Sequence, residues 1–145
     1  MAVLRLTKKF SFEMAHTLHN YSGPCKNIHG HSYRLYVTIT GEQITDIKNN
    51  SYGMVIDFND IKKIVNDQII KHFDHSLVVS SQMPDEQKRA LQNMFERCII
   101  VDYQPTCENM LIDFANRIKK QLPEQVRLCR LKLYETDSSF AEWED

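Results

Sequence analysis

Two long stretches of the chain alternate between apolar and polar residues, and this pattern constrains the fold more than any other feature. In the first, Leu4, Leu6, Phe10, Phe12 and Met14 share one parity, while Arg5, Thr7, Lys9, Ser11 and Glu13 share the other. Lys8 is the one misfit, and His16 continues the apolar row. In the second, Tyr33, Leu35, Val37 and Ile39 oppose Ser32, Arg34, Thr38 and Thr40, and His29 and His31 extend the apolar row at its start. A period of two means a strand with one buried face. The turn-rich Asn20-Tyr21-Ser22-Gly23-Pro24 lies between them, so an antiparallel pair is predicted.

The remainder predicts helices and further strands. Gly53 opens a short strand, Met54–Ile56, and Asp57 or Asn59 caps a helix. In that helix Ile61, Ile64, Val65, Gln68 and Ile69 form one face, apolar except for Gln68, ending near residues 72–75. A small extra helix is expected over 85–97, with Leu91, Met94 and Phe95 inward. A second main helix starts at Pro105-Thr106, turns Met110, Leu111, Phe114, Ala115, Ile118 and Leu122 inward, and stops at Pro123. Strands over Val126–Thr136 and Phe140–Trp143 complete the chain. Paired strands with two long helices on one face make the class α+β.

A length of 145 residues fits a single domain, 1–145, with the extra helix as an insertion around 78–100. Lys and Arg total 18 against 19 for Asp and Glu, which argues against a polybasic nucleic-acid or membrane surface. The chain lacks an apolar run long enough to span a bilayer and an apolar leader at Met1–Lys9, so a cytoplasmic location is expected. Cys25, Cys98, Cys107 and Cys129 contain no C-x-x-C pair and read as free thiols.

His29 and His31, two apart on a strand, point the same way. With His16 from the neighbouring strand, three imidazoles can converge on one ion. Three neutral nitrogens leave one tetrahedral position open, the pattern of a catalytic zinc. The competing reading is three separate, hydrogen-bonded histidines at a sheet edge; the shared apolar registers favour convergence. His19 lies in the loop beyond the strand and is left out of the ligand set. Cys25 precedes His29 by four residues. A thiol beside zinc and a basic partner acts as base or nucleophile, and a partly buried free cysteine is the alternative. Asp74-His75 is either the orienting pair for such a thiol or a helix-terminal feature. Glu135 ends the apolar row Cys129, Leu131, Leu133. A carboxylate there needs a partner: a ligand with two adjacent N–H donors, or a buried Arg or Lys. Glu108 sits in the first turn of the second helix, where the dipole already explains it.

Taken together, Phe12-Glu13-x-Ala15-His16, Cys25-x-x-x-His29-Gly30-His31, Asp57-Phe58, Asp74-His75, Pro105-Thr106-x-Glu108-Asn109 and Glu135-Thr136 resemble the 6-pyruvoyltetrahydropterin synthase superfamily over nearly the whole chain. The three-residue spacer before His29 resembles the 6-carboxytetrahydropterin synthases of bacterial queuosine biosynthesis. The resemblance implies the tunnelling fold: an antiparallel four-stranded sheet with two helices, joined with other subunits into a barrel, with sites at subunit interfaces and a hexamer expected. It implies Zn2+ on His16, His29 and His31, Cys25 as catalytic thiol, and His75 with Asp74 as its relay. It implies Glu135 as the anchor of the pterin's amino-pyrimidine edge, with Thr106 and Glu108 near that pocket. The implied substrate is 7,8-dihydroneopterin triphosphate, and the implied products are 6-carboxytetrahydropterin, acetaldehyde and triphosphate. A pyruvoyl-forming synthase and a non-catalytic zinc-containing pterin-binding module are the alternatives. The stretch 78–100 is longer than the family's usual connection and is a place for a changed lid or subunit contact. No Lys/Arg cluster identifies itself as the triphosphate site.

Overall fold

A computed structural model describes residues 2–23 and 26–145. The two alternating stretches form β1 (Arg5–His16) and β2 (His29–Gly41), paired antiparallel with His16 opposite His29 and Met14 opposite His31. Tyr33, Leu35, Val37 and Ile39 are fully buried, as are Phe12 and Met14 to within a few percent. One helical run follows: α1 (Phe58–Val65), a π-helical turn (Asn66–Ile70) and α2 (Lys71–Phe73). Asp57 caps it, accepting from the Asn59 N–H at 2.8 Å. Its buried residues Ile61, Val65, Ile69 and Phe73 recur every fourth position. An α-helix would rotate such a column steadily off the core, and the wider π turn corrects the phase.

Next come β3 (Ser76–Ser80), α3 (Asp85–Met94) and β4 (Cys98–Val101), then α4 (Cys107–Lys119), β5 (Val126–Thr136) and β6 (Ser139–Glu144). The sheet order is β4-β3-β1-β2-β5-β6. The class is α+β, as expected, but the sheet has six strands and is mixed, because β3 runs parallel to β1 and β4 parallel to β3. Parallel neighbours need a crossover, and α3 supplies it. The extra helix is therefore the middle of a β–α–β unit. Met54–Ile56, expected as a strand, is irregular: Val55 and Ile56 are buried, but the backbone pairs only locally, through Ile44 N–H to Met54 O at 2.8 Å.

The helices α1 and α4 close the main core over one face. Val78 joins that core, whereas Leu77, Val79 and Met83 form a second cluster with Leu91, Phe95, Cys98 and Ile100 packed against it. Residues of opposite parity on β3 and β4 thus bury opposite faces. The two main helices share one face, as expected, and the inserted α3 covers the other face at this end. Met94, expected inward, is 74% exposed at the end of α3.

Candidate metal centre

The site sits where β1 ends, β2 begins and α4 starts. Thr106 caps α4, accepting from Asn109 N–H at 3.3 Å. The carbonyl of Pro105, just before it, accepts a hydrogen bond from His16 Nδ1 at 2.8 Å. The carbonyl of Asn27 accepts one from His29 Nδ1 at 2.7 Å. A carbonyl only accepts, so Nδ1 carries the proton in both rings. Their Nε2 atoms then present lone pairs, and these lie 3.1 Å apart. Two facing lone pairs at this distance repel unless a cation lies between them. His31 completes the group: its ring centroid is 5.3 Å from that of His16 and 4.9 Å from that of His29. One nitrogen from each of the three lies within 4.8 Å of the others.

His31 Nε2 is buried and has no hydrogen-bond partner among the described residues. Glu135 Oε1 is 3.4 Å away, close enough for ion pairing but outside hydrogen-bond geometry. A metal is the simplest partner for three such nitrogens, and a tetrahedral ion with bonds of about 2.0–2.1 Å would want them roughly 3.3 Å apart. The two carbonyls on the Nδ1 atoms are the outer-shell contacts that orient metal-binding imidazoles. Burial lowers the pKa of His16, against the opposing pull of the Pro105 bond and the Glu135 charge, and burial lowers that of His31, against Glu135. Both rings are therefore neutral near pH 7, the form a metal binds.

Glu135 sits beside this group on β5, with a half-buried carboxylate. Among the described residues its ion partner is His31 and no Arg or Lys, so the buried cation considered for it is absent there. Two neighbours escaped the sequence reading. Tyr33 is fully buried, its hydroxyl lacks a partner among the described residues, and burial with the Glu135 charge drives its pKa up. Cys107, in the first turn of α4, is held by burial first and then Glu135 as a thiol with its pKa pushed up to about 12. It donates to Leu133 O at 3.6 Å. Tyr33 shares the parity of His31, a signal open to inspection. Cys107 carries none, because its neighbours come from β5.

Cys25 lies outside the described residues. His19 stays outside the cluster; its backbone is held by Gln104, which accepts from His19 N–H at 3.0 Å and donates to His19 O at 2.7 Å. Glu108 is exposed on α4. Asp74 and His75 are not among the three converging imidazoles, but His75 borders the same cleft as His31. Asp74 Oδ1 accepts from Glu13 N–H at 2.9 Å and lies 3.8 Å from His75 Nε2, and the His75 side chain is 75% exposed. That cleft, of about 540 Å3, is also lined by Glu13, Glu96 and Arg97.

The family model for 6-pyruvoyl tetrahydropterin synthase matches residues 5–145. A 6-carboxy-5,6,7,8-tetrahydropterin synthase of Haemophilus influenzae is 34% identical, over 99% of this chain and 100% of the relative. One of Rickettsia typhi is 30% identical over 97% and 99%. Among solved structures, an uncharacterized protein of Wolinella succinogenes superposes with a TM-score of 0.80 at 17% identity, covering 100% of this chain and 99% of that one. The Caenorhabditis elegans 6-pyruvoyl tetrahydropterin synthase gives 0.69 at 22% identity, covering 100% and 97%. The chain belongs to the 6-pyruvoyl tetrahydropterin synthase family.

Proposed function

We propose that this protein is a zinc-dependent 6-carboxytetrahydropterin synthase, a lyase of the cytoplasm that takes 7,8-dihydroneopterin triphosphate to 6-carboxytetrahydropterin, acetaldehyde and triphosphate for queuosine biosynthesis. The observation that carries the reading is the pair of facing Nε2 lone pairs on His16 and His29, with the unpartnered His31 Nε2 and the Glu135 carboxylate beside them. The names of the full-length relatives at 30–34% identity favour the carboxy product over the pyruvoyl one. Among the described residues no helix is long and apolar enough to cross a membrane.

In this reading His16, His29 and His31 hold the ion, which when bound supplies Lewis-acid polarisation of the substrate's side-chain hydroxyls. Glu135 accepts the two adjacent N–H donors of the pterin edge and fixes the ring, with Thr106 and Glu108 bordering that pocket. Cys25 takes the proton, and the imidazole of His75, oriented by Asp74, tunes the thiol. In this reading the exposed His75 is open to a thiol on a neighbouring copy of the chain as well as to one on its own. This agrees with the interface sites and the hexamer that the resemblance implies.

The test is incubation with 7,8-dihydroneopterin triphosphate, with and without a chelator, reading products by mass. Acetaldehyde and a carboxypterin, lost with chelator and restored by zinc, are expected. A pyruvoyl pterin without acetaldehyde would reassign the reaction, and pterin binding without turnover would leave a binding module. Cys25→Ala should keep its zinc and lose about 100-fold or more in kcat, the scale of general-base catalysis.

A further inference from the structure

The last carbonyls of a helix have no partner within it. At the end of α2 those of Lys71 and His72 are taken by one side chain from the stretch that the sequence marks as an insertion. Arg97 Nη2 donates to Lys71 O at 2.5 Å and to His72 O at 3.0 Å. The carbonyl of Arg97 in turn accepts from Leu77 N–H at 2.8 Å. One residue therefore grips the chain just before and just after Asp74, His75 and Ser76. No carboxylate pairs with Arg97 among the described residues; its charge is spent on carbonyls at the negative end of a helical run.

The segment so braced is under constraint. His75 has φ of 58°, the left-handed region that residues with a Cβ enter only when their surroundings hold them there. Its N–H donates to Glu13 O at 2.6 Å, and the Glu13 N–H donates back to the Asp74 carboxylate at 2.9 Å. Ser76 Oγ donates to Phe73 O at 2.6 Å. These bonds fix His75 to β1 on one side. Arg97 fixes the flanking backbone on the other, and both side chains border the same cleft.

We propose that Arg97 is a positioning residue for the Asp74-His75 pair: by tying the end of α2 to the start of β4, it holds His75 in the backbone conformation from which its imidazole acts. The proposal rests on the catalytic reading of His75 given above. It makes the β3–α3–β4 unit a brace for the site.

The experiment uses the zinc-loaded full-length protein and two readouts. Amide hydrogen exchange at His75 and Leu77 reads the brace without reference to activity. Steady-state kinetics across pH read its catalytic effect. Arg97→Met is expected to speed exchange at both amides. It should lower kcat about 10- to 100-fold, the scale of a misplaced catalytic group, with KM and zinc content little changed and the pH profile of kcat displaced. Arg97→Lys, which keeps a charged donor, should recover most of both, and this milder variant carries the test if Arg97→Met does not fold. In a His75→Asn background Arg97→Met should cost nothing more in kcat. Unchanged exchange at His75, or faster exchange with normal kcat and pH profile, overturns the proposal. Wild-type protein without pterin turnover overturns the functional reading instead, while the exchange measurement still decides whether Arg97 holds His75.

Discussion

His16 and His29 show how two backbone carbonyls can prepare a metal site. With Nδ1 of each ring committed to Pro105 and Asn27, the tautomer is settled before any ion arrives. Among the described residues His31 has no such orienting bond, and its buried Nε2 without a partner there is the nitrogen that gains most from an ion. His31→Ala is therefore expected to lower bound zinc well below one per chain, measured on purified protein by elemental analysis. Under the proposed function Glu135 has a different role. Glu135→Gln keeps the size of the side chain and replaces one acceptor with a donor, so zinc should stay while kcat/KM falls roughly 10- to 100-fold, the worth of a charged hydrogen bond of about 1.5–3 kcal/mol. Equal loss of zinc and activity in that variant would place Glu135 among the ligands. The three histidines were legible in the sequence because strand parity is a local property: His16 and His31 extend an apolar row by two residues and His29 by four. Tyr33 and Cys107 gain their meaning from Glu135, which is more than twenty residues away from either, and no local pattern reports that distance.

Among elements, α4 was the most legible. Its apolar positions follow one helical stripe, and Met110, Leu111, Phe114, Ala115 and Ile118 are all buried. Phe114 is the keystone of that stripe, with ring centroids 6.1 Å from Phe12 on β1 and 5.2 Å from Phe73 on α2. Phe114→Ala should cost about 3–5 kcal/mol in urea unfolding, the range for deleting a buried aromatic ring. A loss below about 1 kcal/mol would mean that the core closes over the gap. The strands β1, β2 and β5 were equally open to reading, since each alternates. The strands β3 and β4 were not, because both faces are covered and the alternation disappears into short apolar runs, Leu77–Val79 and Cys98–Val101. The converse error arose at Met54–Ile56, where buried apolar residues lie in a loop. The π turn is a further element that no periodicity announced, although the strict fourfold spacing of Ile61, Val65, Ile69 and Phe73 is its trace.

The whole molecule has a sheet with one shielded end and one open expanse. On the open face Arg34 stacks on Tyr134 at 4.9 Å, Tyr134 on Phe140 at 4.7 Å, and Lys132 on Phe140 at 4.4 Å. Together with two sheet edges at β4 and β6, this leaves backbone and aromatic surface for other copies to use. Sedimentation should give an assembly about six times the 17.1 kDa of one chain, as the resemblance implies, and a stable monomer with full activity would count against sites shared between copies. The crossover through α3 has its own consequence for anyone trimming the protein. Excising turns of that helix, while leaving a link long enough for the parallel crossover, would strip Leu77, Val79, Cys98 and Ile100 of Leu91 and leave the main core under α1 and α4. The truncated chain should still fold, yet precipitate, because its failure would be one of stickiness and not of stability.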